Sequence, residues 1–305
     1  MLKMFHRRAV AGGAAGFWRE VWDEAALSDA LRFCESDPLR PLMARHTRPG
    51  QTMLEGGCGR GQYVAYHASR GVRVVGIDFE KDALTDAKAC RPDLWLCAGD
   101  VSTLPLGDSS VDVYYSGGVV EHFEEGPGTA LREARRVLRD KAVLLVSVPY
   151  HSPLRRLLKW GGRPDWRVVT APKEGPSPPD MTFFQYAFTP GEFGTFLKDA
   201  GFEVVSTRGY AVLWGLMEIP GSGVLARLSR GLRERRSHRK NDRGPYVKGS
   251  AAASRPASFW KRLLVSEDAD IPGLGWLVRL MRWSSANMMM YVCVRREAKL
   301  AESPD

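Results

Sequence analysis

Seven consecutive residues, Glu55-Gly56-Gly57-Cys58-Gly59-Arg60-Gly61, set four glycines behind one acid. Glycines at that density let the main chain turn tightly and let a ligand press against the backbone, which suits a nucleotide-like molecule. A dinucleotide fingerprint needs Gly-x-Gly-x-x-Gly, and counted from Gly57 its last place falls on Gln62, so that pattern fails. A plain tight turn would use the same glycines. Asp78, closing a β-rich run downstream, is placed to accept hydrogen bonds from both hydroxyls of a ribose, and Phe79 beside it can pack on an adenine face. Taken singly, an acid at a strand end is also an ordinary helix cap.

Those residues need a scaffold that brings strand ends together. From about residue 51, short β-rich runs alternate with helical patterns, the mark of a parallel sheet with crossover helices. Thr52-Met53-Leu54 runs into the glycine cluster, and a helix is expected after Gly61. Residues 72–77 read as a buried strand, 81–90 as a helix, and 93–97 and 111–115 as further strands. Leu131, Ala134 and Leu138 mark the inner face of a helix ending near Asp140. Residues 142–148 are almost wholly apolar, as in a central strand covered on both faces, and Pro149 stops it. The alternation pauses over 150–188, where Pro153, Pro164, Pro172, Pro176, Pro178 and Pro179 predict a loop-rich excursion. It resumes at Thr189-Pro190-Gly191-Glu192, a capping box with proline at the first helical position, followed by Phe193, Phe196 and Leu197 on one face and Gly201 as the stop. Residues 202–205 and 288–294 read as closing strands, and 17–34 as a helix with Trp18, Val21, Trp22 and Leu27 apolar.

Set on those elements, the acid-x-Gly-x-Gly-x-Gly run resembles the first motif of the class I S-adenosylmethionine (SAM) dependent methyltransferases, of the type 11 kind. The resemblance covers about 47–149, with 189–207 and 288–295 as closing elements. It implies an α/β, Rossmann-like sheet of seven strands with helices on both faces, the last strand antiparallel beside the fifth. SAM would lie across the carboxyl edge and leave as S-adenosylhomocysteine. Carried over position by position, it assigns cofactor contacts to Glu55, Gly56, Gly57, Gly59, Gly61, Asp78 and Phe79. Asp100 and Val101 follow the third core strand, where this family reads the adenine amino group. Ser116 and Gly117 open the segment Ser116-Gly117-Gly118-Val119-Val120-Glu121-His122, which is similar to the family's post-strand segment ending in an acid and a histidine. The chain departs from the family before the last strand, where a short hairpin is usual and 208–287 intervene here.

The sulfonium of SAM already makes its methyl group a strong electrophile, so the protein has chiefly to align a nucleophile and exclude water. For an oxygen or carbon nucleophile a base helps, and His122 is the candidate because imidazole titrates near neutrality; capping or wall packing is its ordinary alternative. Glu121, Tyr150, His151 and Tyr186 are candidates for lining the acceptor pocket. No Asp/Asn-Pro-Pro-Tyr segment follows the fourth core strand and no Pro-Cys pair exists, which disfavours base N-methylation and cytosine-carbon methylation. A small-molecule, lipid-linked or glycan-precursor acceptor is left, with O- or C-methylation the better fit.

With 305 residues, 44% hydrophobic and 26% charged, the composition excludes collagen-like, disordered and coiled-coil classes. The chain divides as an N-terminal helical flank over 1–46 and a core over 47–149 completed by 189–207 and 288–296. Insertions over 150–188 and 208–287 are expected to form a cap over the acceptor side, followed by a tail over 297–305. The five cysteines show no zinc-ligand spacing, which with no readable export signal points to the cytoplasm, and metal is not expected at the site. Pro220, Gly221 and Gly223 interrupt the most weakly charged run, arguing against a spanning helix. The chain carries a net charge of +9, and nine cations, Arg227, Arg230, Arg233, Arg235, Arg236, Arg239, Lys240, Arg243 and Lys248, cluster in one run against Glu234 and Asp242. That run reads as a solvated helix face or, joined to Trp260, Trp276 and Trp283, as a peripheral dock on anionic membrane. Nucleic-acid binding is disfavoured for want of a recognised module. The alternative to an enzyme is a nucleic-acid or membrane-binding protein on a methyltransferase scaffold, and the intact Gly57, Gly59 and Asp78 favour the enzyme. No sequence feature fixes an oligomeric state.

Overall fold

A computed structural model describes residues 1–6, 34, 37–161, 169–170, 182–219, 259, 261–265, 267 and 271–296. The elements are β1 (Leu2–His6), α1 (Arg40–His46), β2 (Thr52–Gly56), α2 (Gln62–Ala68), β3 (Arg73–Asp78), α3 (Lys81–Cys90), β4 (Trp95–Ala98) and β5 (Val111–Gly117). A 3-10 turn (Val120–His122) follows, then α4 (Gly128–Val137), β6 (Leu138–Pro149), α5 (Pro153–Trp160), β7 (Val169–Thr170), β8 (Thr182–Ala187), α6 (Pro190–Asp199) and β9 (Phe202–Tyr210). The chain closes with α7 (Val212–Leu216), a π-helical turn (Lys261–Val265), α8 (Gly275–Ser285) and β10 (Met288–Arg295). Two compact units result: Met1–His151 with Pro164–Arg208 and Met288–Asp305, and Ser152–Arg163 with Gly209–Asn287.

The first unit is built on a seven-stranded sheet in the order β4-β3-β2-β5-β6-β10-β9. β2 pairs in parallel with β3 and β5, β3 with β4, and β5 with β6. β10 runs antiparallel to β6, from Met288 opposite Pro149 to Val294 opposite Val143. Leu144, Leu145, Val146, Ser147 and Val148 are all buried, so consecutive side chains, which point to opposite faces, are covered on both. This is the Rossmann-like α/β sheet expected from the sequence, with its last strand antiparallel beside β6, the fifth strand of the core.

Three expectations need correction. α4 ends at Val137 rather than near Asp140, because Leu138 already has extended backbone (ψ 135°) and pairs with Val111 as the first residue of β6. The excursion over 150–188 is not uniformly loop-like: it holds α5, and its last stretch forms β8, whose Thr182, Phe183, Phe184 and Tyr186 suit a strand and follow the last of the prolines. The N-terminal flank opens with a strand, β1, which pairs antiparallel with β8 and β7 in a second, three-stranded sheet. Leu2 and Met4 bury against Ala187 there. β8 therefore groups with the core, and only Ser152–Arg163 of the earlier insertion joins Gly209–Asn287. The helix expected over 17–34 lies outside the described residues except for Cys34.

In the second unit, Leu263, Ile271 and Val278 form a small core with Leu264, Leu274 and Met281 against it. Two carboxylates pin it. Glu267, fully buried, accepts from the Val212 N–H at 2.8 Å and from Arg282 Nε at 3.3 Å. Glu218 takes Arg155 Nε on both oxygens, at 3.0 and 2.9 Å, and Asn287 Nδ2 at 2.8 Å. Among the described residues no helix is long and apolar enough to cross a membrane. The basic run from Arg227 to Lys248 and Trp260 lie outside the described residues.

Candidate cofactor and methyl-transfer site

Because β2, β3 and β5 are neighbours in the sheet, their carboxyl ends bring the sequence-selected residues to one edge. The glycine loop leaves β2 with Gly57, Gly59 and Gly61 at φ 74°, 51° and 67°, a left-handed conformation that costs glycine nothing and a residue with a Cβ a good deal. The N–H groups of Gly57 and Cys58 both donate to the Ile77 carbonyl, at 2.7 and 3.1 Å, closing the loop onto β3. A Cβ on Gly57 would run into the Val119 side chain.

Asp78, at the end of β3, locks that loop from below. Its Oδ2 accepts from the Gly59 N–H at 2.7 Å and its Oδ1 from the Glu80 N–H at 2.9 Å. Burial raises its carboxyl above the usual range, and these backbone hydrogen bonds pull the other way. Phe79, next to it, is 52% exposed, a flat apolar ring held at the edge in solvent. Glu55 is buried on β2, where loss of water pushes its carboxyl well up against a hydrogen bond from the Val64 backbone. Past β4, exposed Asp100 accepts from the Ser102 N–H at 2.7 Å, and Val101 is buried beneath it. Ser116 is buried near the end of β5, followed by exposed Gly117.

A cationic, ribose-bearing ligand suits this edge. Glu55 Oε2 and Ser116 Oγ are buried with no hydrogen-bond partner, and such polar atoms cost stability unless something completes them. Gly56 and Gly117 leave no room for a Cβ, which would meet the Tyr114 ring and the Tyr115 hydroxyl, so glycine at both positions lets β2 and β5 pack against these tyrosines. Glu55, Gly57, Gly59, Gly61, Asp78 and Ser116 would hold SAM, whose contribution is an activated methyl group.

The 3-10 turn after β5 carries Glu121 and His122. His122 Nδ1 lies 2.7 Å from the Phe184 carbonyl, which can only accept, so Nδ1 holds the proton in the neutral ring and Nε2 holds the lone pair. Nε2 is 3.9 Å from Glu121 Oε1. Glu121 is fully enclosed, and burial pushes its carboxyl up to about 8. Tyr186 is buried on β8 with its hydroxyl donating to the Glu124 carbonyl at 2.7 Å, and Lys3 on β1 reaches Glu124 Oε1 at the same distance. Tyr150 is buried just past β6 and bridges to Phe188, while the His151 N–H donates to the Phe188 carbonyl at 2.8 Å. The small sheet thus braces the segment that presents His122. Phe184, Lys3 and Glu124 were not selected from the sequence; the aromatic run at 182–186 was the available signal for this wall.

Residues 54–146 match the family model described as a methyltransferase domain. A probable S-adenosylmethionine-dependent methyltransferase of Mycolicibacterium smegmatis is 31% identical over 174 residues, 57% of this chain and 60% of the relative. A malonyl-[acyl-carrier protein] O-methyltransferase of Serratia marcescens is 32% identical over 111 residues, 36% of this chain and 43% of the relative. A demethylmenaquinone methyltransferase of Renibacterium salmoninarum is 34% identical over 110 residues, 35% of this chain and 46% of the relative. The chain spans at most 60% of the length of these relatives. Sheet order, glycine loop and strand-end acids define a class I methyltransferase fold. Residues 54–146 therefore form a methyltransferase domain, similar in sequence to the SAM-dependent methyltransferases, whose cofactor is SAM.

Proposed function

We propose that the whole chain is an active SAM-dependent methyltransferase that passes a methyl group to an oxygen or carbon nucleophile of a small-molecule, lipid-linked or glycan-precursor acceptor. The observation that carries this reading is the glycine loop closed onto β3 and locked by Asp78 through the Gly59 N–H. In it, Asp78 orients the ribose, Phe79 covers the adenine, Asp100 takes its amino group, and Glu55 and Ser116 complete the polar contacts. His122, its Nδ1 proton committed to the Phe184 carbonyl, directs Nε2 to accept the proton that the acceptor loses as the methyl group arrives. Tyr150, His151 and Tyr186 line the acceptor side, and Glu121, protonated at neutral pH, adds no charge against the sulfonium. The relatives named for malonyl-[acyl-carrier protein] and demethylmenaquinone support a carrier-linked or lipid-like acceptor. The reading includes peripheral contact with anionic membrane, where a lipid-linked acceptor would be met.

Titration calorimetry with SAM and S-adenosylhomocysteine is the first test, and absence of binding to either would sink the reading. His122→Ala should then lower turnover about 10²- to 10⁴-fold with SAM affinity nearly unchanged. A rate within a few-fold of the parent would return His122 to a structural role.

A further inference from the structure

The second unit shows solvent a set of large apolar side chains interleaved with cations. On α8, Trp276, Leu280 and Trp283 recur at helical spacing and are 60%, 47% and 60% exposed, while Val278 and Ser285 are buried. Arg279 is exposed on the same stripe. α5, which packs against α8, buries none of its residues completely and exposes Leu157 and Trp160 next to Arg156 and Lys159 respectively. Trp160, at 87%, is exposed almost entirely.

The charge on these two helices has one sign. Neither α5 nor α8 contains an acid. Arg155 and Arg282 are engaged by Glu218 and Glu267, leaving Arg156, Lys159 and Arg279 as the exposed cations among the apolar side chains. Tryptophan and leucine beside lysine and arginine, on short helices that cannot span a bilayer, are the composition of a segment that lies in the headgroup region, rings at the acyl boundary and cations at the phosphates. A nucleic acid would use the cations and could stack on the tryptophans, but the leucines would gain nothing from it.

We propose that the exposed faces of α5 and α8 dock the protein on an anionic lipid bilayer. This rests on the reading that the acceptor is lipid-linked, and it assigns the contact to described helices outside the basic run.

The full chain should be sedimented with vesicles of phosphatidylcholine and of an equal mixture of phosphatidylglycerol and phosphatidylcholine, with SAM affinity measured in parallel. The wild type should partition at least tenfold more strongly onto the mixed vesicles and lose that preference at high salt. Replacing Trp276, Leu280 and Trp283 by alanine, or Leu157 and Trp160 by alanine, should weaken partitioning about tenfold or more. Replacing Arg156, Lys159 and Arg279 by alanine should weaken it about fivefold for each cation removed. All variants should bind SAM as the parent does, which shows that they fold.

The proposal is overturned if the wild type shows no anionic preference, or if the helix variants partition like the parent. It is equally overturned if Arg233→Glu/Arg235→Glu/Arg236→Glu abolishes vesicle binding that the helix variants retain, which would move the contact to the basic run. Tight RNA binding in place of vesicle binding would transfer the surface to nucleic acid, and loss of self-association in the aromatic variants without any change on vesicles would make it an interface between copies. Failure of SAM binding by the wild type would instead remove the methyltransferase reading and leave the docking result standing.

Discussion

Asp78 holds two main-chain N–H groups, one from each side of the cofactor edge, before any ligand arrives. Its carboxylate therefore sets the shape of the glycine loop, and in the proposed function its remaining lone pairs take the ribose. Asp78→Ala removes both at once, and SAM should bind more weakly by about 1.5 to 3 kcal/mol, the scale of charge-assisted hydrogen bonds lost from a ligand. Asp78→Asn keeps one acceptor oxygen and should fall between the two in the same calorimetric measurement. Wild-type affinity in the alanine variant would take Asp78 out of the site. Phe79 needs no such partner, since its exposed ring can act by stacking alone.

At the level of elements, α6 shows how closely local chemistry can dictate structure. Thr189 Oγ1 accepts from the Glu192 N–H at 3.4 Å, and Glu192 Oε2 accepts from the Thr189 N–H at 2.9 Å, the reciprocal bonds of a capping box. Thr189→Ala should cost about 1 kcal/mol, seen as a melting temperature lower by about 2 to 4 °C with SAM affinity unchanged; an unshifted melting temperature would show that Pro190 and the packing of Phe193 and Leu197 suffice. Elements with signals of this kind were legible in the sequence: α3 over 81–90, β10 from Met288, and the glycine loop between β2 and α2. The wall behind His122 was not. β1 and β8 pair across nearly the whole core, from Leu2 with Ala187 to His6 with Thr182, and no local pattern encodes such a partner. For the same reason the sequence could nominate His122 but not its tautomer, which depends on a carbonyl 62 residues away.

For the whole molecule, enclosing ionisable groups makes stability depend on pH in two opposed ways. Glu121, with a folded pKa of about 8 against an ordinary 4.5, keeps a proton that the unfolded chain releases, so its contribution is fullest at low pH and is lost as pH rises from about 4.5 to 8. Glu55 is pushed the same way by burial. His67, buried on α2, is lowered from 6.5 to about 4; it resists a proton that the unfolded chain accepts, and so costs stability as pH falls from about 6.5 to 4. Between about 4.5 and 6.5 the slopes of Glu121 and His67 oppose one another, and above that range the carboxyls act alone. Glu121→Gln keeps the size of the neutral acid and cannot ionise. In urea unfolding its stability should lie closest to the parent's near pH 4 and pull ahead by about 1.4 kcal/mol per pH unit up to about pH 8, where the native carboxyl ionises as well. A difference between the two proteins that stays constant from pH 4 to 8 would mean that Glu121 ionises in the folded chain as it does in the unfolded one, and the neutral acid beside His122 would have to be given up.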